Sequence, residues 1–282
     1  RKRPANRRTT CGWWTCFNET TKKFMERVVI IGSGNLAEAL AQAVARSGLK
    51  LVQLFARNAQ RGKTVAALAG TQWTSDPAGL AEADIYLIAV SDRAVAEAAA
   101  SLPIPAGAVV AHTAGSVPLE ALPGQPVRRA VFYPLQTFTK GREVDFSQIP
   151  VFLETDDEAL RPELEAFARR LSRTVIWADS ACRAKAHLAA VFACNFVNHM
   201  YAVAERIAGS AGLPFDVLKP LITQTAAKAL DAVSPAGVQT GPAVRNDTGT
   251  RARHCALLDD DLQLKNIYSI ISNSIWETSK KI

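Results

Sequence analysis

The stretch VVIIGSGNLAEAL, residues 28–40, decides the fold. Its first four residues are β-branched and uncharged, which suits a parallel strand buried on both faces. The run breaks at Gly32, and Gly32, Gly34 and Ala37 form a G-x-G-x-x-A pattern. Each position meets a physical demand: Gly32 permits a tight turn, Gly34 lets the backbone approach a pyrophosphate, and small Ala37 lets the following helix pack closely on the strand. That helix, running to Gly48, offers unpaired N–H groups at its start to phosphate charge. Ser33, Asn35 and Leu36 complete the expected cradle. Taken alone, the pattern also fits an ordinary glycine turn.

Its surroundings select the dinucleotide reading. LKLVQLFARN, residues 49–58, reads as a second strand, and a helix is expected from Gln60 to Ala69, so the glycines sit inside a βαβ unit. Where an NAD site ordinarily has a carboxylate for the ribose 2′-hydroxyl, this chain has Arg57 and Asn58, with Arg61 and Lys63 close behind. A cationic field of this kind suits a 2′-phosphate, because an arginine fork matches phosphate oxygens that a carboxylate would repel; a solvated basic helix start is the plainer alternative. The expected cofactor is therefore NADP.

The strand-then-turn pattern recurs. An apolar run from Ile85 to Val90 ends at Ser91 and Asp92, and AVVAHTAGSVP, residues 108–118, ends its strand at His112. Ligands gather at such carboxyl ends, so Val90 and Ser91 are expected at the cofactor and His112 within reach of a substrate; Ser91 equally suits a helix cap and His112 a strand-end structural role. Tyr133 and Gln136, in RRAVFYPLQTF, share that ambiguity. Strands at 149–155 and 173–179 with a helix between them extend the sheet and put the domain boundary near Asp179.

Beyond it the periodicity is helical. Read as one helix, residues 181–208 are apolar almost all round, which calls for burial within a second domain or between subunits. His187, Val191, Asn195 and Asn198 form one stripe, with His199 beside it and Lys185 nearby. These polar groups either satisfy one another structurally or line a pocket. Lys185 and His187 are the leading proton-donor candidates, His199 and His112 weaker ones, while Asn195 and Asn198 would orient substrate. Arg245 and Asp247 lie in a structured loop, and a terminal helix is expected from Leu262 to Trp276.

Composition bounds the alternatives. The 282 residues suffice for two domains, and 48% hydrophobic with 21% charged residues is ordinary for a globular chain. The formal charge of +7 resides mostly in residues 1–24, which carry seven Lys or Arg against Glu19 alone, so it is no argument for specific nucleic-acid binding. This leader reads as an extension outside the folded domain, with domains at 25–179 and 180–282. Five scattered cysteines without metal spacing point to a reducing cytoplasm and no metal site, and no apolar run reaches the ~18 residues that span a bilayer.

The motifs VVIIGSGNLAEAL, LIAVSDRAV, VVAHTAGS, FYPLQTFTKGREVDF, KAHLAAVFACNFVNHMYAVAE and QTGPAVRNDTGT together resemble a bacterial family. Its members are Rossmann-type NADP oxidoreductases, assigned by likeness, with a helical C-terminal domain of unknown function. The wider resemblance is to pyrroline-5-carboxylate reductases and β-hydroxyacid dehydrogenases. It implies an α/β fold, a Rossmann parallel sheet followed by an all-helical domain like that of 6-phosphogluconate dehydrogenase, with dimerisation through the helices. It carries Gly32, Gly34, Ala37 and Arg57 onto cofactor-binding positions. The catalytic Lys-x-x-x-Asn of β-hydroxyacid dehydrogenases does not carry over, since Lys185 is followed at that distance by Ala189. The implied activity is hydride transfer between NADPH and a small C=O or C=N metabolite. The alternatives are pyrroline-5-carboxylate reduction, a noncatalytic NADP sensor and a structural dimer.

Overall fold

The computed structural model describes residues Met25–Ile282, so the expectation for residues 1–24 lies outside the described residues. The first half alternates strands and helices: β1 Arg27–Ile31, α1 Asn35–Arg46, β2 Lys50–Phe55, α2 Ala59–Leu68, β3 Gln72–Thr74, β4 Ile85–Ile88, α3 Val95–Ser101, β5 Val109–His112, β6 Arg128–Pro134, β7 Val151–Thr155, α4 Arg161–Arg169 and β8 Val175–Trp177. They build one eight-stranded sheet in the order β3-β2-β1-β4-β5-β6-β7-β8. The order reverses at β1, which pairs in parallel with both β2 and β4. A crevice therefore opens at the carboxyl ends of these strands.

The central strands are buried on both faces, as their uninterrupted apolar runs require. Val28 and Ile30 join α1 in one core, whereas Val29 and Ile31 join Val95 and Ala99 of α3 in another. The period-2 alternation of β1 thus feeds two layers.

The sheet departs from the expected all-parallel form at β7, which runs antiparallel to β6. The connection between them carries only a short 3₁₀ turn at Phe146–Gln148, so the chain folds straight back instead of crossing over a face. Strand β3 escaped the sequence reading because three residues are too few to show a period.

Contacts divide the chain into two units, one running to Val197 and the other Asn198–Ile282. The boundary near Asp179 marks the end of the sheet, but the first unit continues because α5, Ser180–Ala190, sends Arg183 and His187 to partners on that unit. The helix expected over 181–208 has a π-helical stretch, Val191–Phe196, between α5 and α6, Val197–Ser210. The wider turn shifts the register on which the His187–Asn198 stripe was drawn. The second unit also holds α7 Lys219–Asp231, α8 Thr248–Ala256 and α9 Leu262–Ser279.

Candidate functional site

The glycine turn is built as its chemistry demands. Gly32 has φ +129°, and a Cβ there would lie 2.1 Å from the Ala89 carbonyl oxygen at the end of β4. Only glycine fits where two strand ends come so close. At Gly34 a Cβ would meet nothing within 4 Å, so the backbone is open for a ligand to approach. Gly34 also starts α1 without a side-chain cap, which leaves the helix N-terminus to other acceptors. Ala37 is fully buried and sets the close helix–sheet packing. These features fit a dinucleotide pyrophosphate.

A cleft of about 510 Å³ opens beside the turn, lined among others by Gly32, Ser33, Arg57, Asn58, Val90 and Ser91. Ser91 precedes a 3₁₀ turn without capping it, so its hydroxyl is not committed to that turn. Asn58 caps α2 by accepting from the Arg61 N–H at 2.9 Å. Asn35 instead donates to the Phe138 carbonyl at 3.0 Å, and Leu36 packs against the core.

The expected cationic field is largely neutralised. Arg61 forms a largely buried ion pair with Glu38 of α1, and its Nε donates to the Ser33 carbonyl at 3.0 Å. Glu38 also accepts from the Gly141 N–H at 3.1 Å. Arg61 therefore holds the glycine turn from behind rather than lining the cleft. Lys63 lies over the Trp73 ring, which itself covers Gly62. Arg57 remains at the cleft, 3.3 Å from Glu97 of α3.

A second cluster stands at the carboxyl ends of β5 and β6. The Tyr133 hydroxyl and His187 Nδ1 are 3.0 Å apart, with the two rings edge to face. Gly115 makes room for them: a Cβ there would lie 2.7 Å from both the His187 Nδ1 and the Tyr133 ring. Burial, and then the charge of Asp92, push the Tyr133 phenol above its ordinary pKa, so the phenol keeps its proton. A phenol that keeps its proton can donate to Nδ1, and the imidazole tautomer that accepts it carries its proton on Nε2.

His112 is fully buried, and its Nδ1 accepts from the Ala114 N–H at 3.2 Å. Burial first, then the nearby Arg183 guanidinium, lower its pKa to about 4. It is thus neutral near pH 7, and full burial keeps it from reaching a bound substrate. Arg183, 1% exposed, pairs with Glu154 of β7 and donates to the Val117 carbonyl. Ser180 bonds the same carboxylate and receives the Leu119 N–H. This network ties α5 to the loop after β5. A buried charge demands a buried partner, and since α5 also carries the exposed Lys185, no local signal singles out Arg183 as the buried one.

Other candidates stand apart from this cluster. Lys185 is exposed and makes no hydrogen bond or ion pair among the described residues; two positions from His187, it projects from a different side of α5. Asn195 and Asn198 are exposed, and His199 lines a groove of the second unit with Arg206 and Asp261. Asp247 caps α8 by accepting from the Thr250 N–H at 2.9 Å, which gives it a structural task. Among the described residues no cluster of His, Cys, Asp and Glu is placed to hold a metal ion, and no helix is long and apolar enough to cross a membrane.

Residues 27–115 match the family of coenzyme F420-dependent NADP oxidoreductases, and residues 149–275 match a domain of unknown function, DUF2520. A putative NADP oxidoreductase from Bacteroides fragilis is 40% identical, with 90% of this chain and 98% of that chain covered and a TM-score of 0.83. A Thermotoga maritima protein is 21% identical over 90% of this chain and 98% of its own, at TM-score 0.68. The 1-pyrroline-5-carboxylate reductase of Streptococcus pyogenes is 12% identical over 91% of this chain and 98% of its own, at TM-score 0.60, a likeness of fold alone. No curated protein matches the chain by sequence. On the Bacteroides likeness and the two domain matches, the chain belongs to the family of Rossmann-type NADP oxidoreductases that carry a DUF2520 domain.

Proposed function

We propose that this protein is an NADP-dependent oxidoreductase that reduces a small C=N or C=O metabolite, acting as a homodimer in the cytoplasm. The observation that carries the reading is the Tyr133–His187 pair at the carboxyl edge of the sheet that also bears the glycine turn. The turn and the α1 N-terminus would hold the pyrophosphate and Arg57 the 2′-phosphate. Bound nicotinamide supplies the hydride. His187 would give its Nε2 proton to the reduced atom as Nδ1 takes up the Tyr133 phenol proton, so the imidazole stays neutral and the negative charge passes to the phenolate, which solvent reprotonates. Gly115 keeps the space in which the two rings meet.

Separate titrations with NADPH and NADH, followed by turnover of imines and ketones, test this. Pyrroline-5-carboxylate is the first imine to try, on fold likeness alone. Against an accepted substrate, His187→Ala should slow turnover by about 10²- to 10⁴-fold, the usual worth of a positioned acid, with NADPH affinity retained. Tyr133→Phe should slow it less. Unchanged turnover in both would overturn the assignment, and NADPH binding without turnover of any metabolite would make the chain a sensor.

The homodimer rests on the second unit, where Leu221 and Leu230 of α7 and Ile270 and Ile271 of α9 are exposed in the single chain. Apolar surface on this scale is normally covered, and two-fold pairing covers it symmetrically. Sedimentation of a chain beginning at Met25, at low micromolar concentration, should give a species near twice the monomer mass. A monomer at every concentration would remove the dimer. The cytoplasm is favoured by Cys182, Cys194 and Cys255, all free thiols.

A further inference from the structure

We propose that Glu97 sets the cofactor preference of this protein by occupying Arg57 until a 2′-phosphate displaces it. The inference rests on reading the cleft as an NADP site. Among the described residues lining that cleft, Arg57 is the one cation and Glu97 the one acid. They come from opposite rims, Arg57 from just beyond β2 and Glu97 from the first turn of α3, and meet at 3.3 Å. The two cations that follow Arg57 in the chain are engaged: Arg61 is tied to Glu38 and the Ser33 carbonyl, and Lys63 lies on Trp73. A 2′-phosphate entering here finds Arg57 as its cationic partner, already claimed by a carboxylate.

The pair is built to be opened. The Arg57 and Glu97 side chains are 76% and 70% exposed, so water screens their attraction and neither is locked by packing. A 2′-phosphate brings more negative charge than one carboxylate and fits the same guanidinium fork, so it wins Arg57. Its advantage is reduced by the ion pair it breaks and by the carboxylate left beside it. NADH carries no such phosphate and leaves the pair intact. Glu97 therefore narrows the gap between the two cofactors, and a neutral residue there should widen it.

Fluorescence titration of NADPH and NADH tests this on the full chain and on Glu97→Gln, Arg57→Gln and the double variant, each checked for unchanged thermal melting. Glu97→Gln should tighten NADPH by about two- to fivefold, the span of an exposed ion pair, while NADH stays within about 1.5-fold. The gain should vanish when Arg57 is already Gln, because Glu97 acts through Arg57. It should also shrink as salt rises, because screening weakens the competition. An unchanged NADPH affinity, an equal gain for both cofactors, or a gain that persists without Arg57 overturns the role of Glu97 and leaves the NADP reading standing. No saturable NADPH binding by the unaltered chain overturns both.

Discussion

The two units of this chain bury their apolar residues to very different degrees. In the first, Val28–Ile31 of β1, Ile85–Ile88 of β4 and Val109–Ala111 of β5 are sealed between two helical layers. In the second, the buried apolar residues are Ala208, Ala243 and Leu264, while Leu221, Leu230, Val233 and Ile270 stand exposed. A parallel sheet with helices on both faces closes its own core within one chain. A few amphipathic helices have more apolar circumference than they can cover for one another. The difference teaches that the first unit's stability is intrinsic, and that the second unit's is expected to depend on assembly.

The largest way to break the comparison is at the tightest point of the first unit. Gly32→Ala places a Cβ 2.1 Å from a backbone oxygen at φ +129°, so strain and clash together should cost more than about 4 kcal/mol. Denaturant unfolding should show that loss, and nucleotide binding should disappear with it. Next comes Arg61→Met, which leaves Glu38 buried without its partner. A cost of about 3 kcal/mol is expected, partly recovered in Glu38→Gln/Arg61→Met, where no charge is left unpaired. A double variant no better than the single would show that packing, and not charge, holds the glycine turn.

His112 gives a pH test of similar size. Its pKa falls from 6.5 in the unfolded chain to about 4 in the fold. Below pH 6.5 the unfolded chain therefore binds a proton that the folded chain refuses. Stability should decline as pH falls from 6.5 toward 4, by at most about 3 kcal/mol. His112→Asn should flatten that slope in unfolding curves taken across the window. An unchanged slope would place the acid sensitivity elsewhere.

The smallest effect sharpens the contrast from the other side. Ile270→Glu on α9 changes an exposed residue, so the fold of the single chain should shift by no more than about 0.5 kcal/mol. At a dimer interface the same change should cost about 2 kcal/mol, roughly 30-fold in the dimer dissociation constant. Sedimentation equilibrium separates these outcomes. Equal assembly of the variant and the unaltered chain would take α9 out of the interface.

The βαβ core was legible in the residues because its signals are local. Strands β1, β4 and β5 show as apolar runs, and helices α1 and α2 lie within three residues of where they are expected. The glycine turn was legible for the same reason. The fates of the charges were not. Arg57, Arg61 and Lys63 read as one cationic cluster along the chain, yet they went to Glu97, Glu38 and Trp73, residues 40, 23 and 10 positions away. His187 was a candidate from its helical stripe, but its partner Tyr133 lies 54 residues earlier on a strand.

By itself the sequence determined the strand and helix periods, the glycine positions and the succession of a sheet unit by a helical one, since each follows from residues within a few positions of one another. The tertiary structure alone decided that β7 runs antiparallel, that Arg61 braces the turn instead of lining the cleft, that His112 is sealed and neutral, and that Tyr133 and His187 meet over Gly115. Those outcomes depend on which distant side chain satisfies each buried polar group. A chain must bury its charges in pairs or not at all, and the pairing is set by the sheet order that brings strand ends together, which no local pattern records.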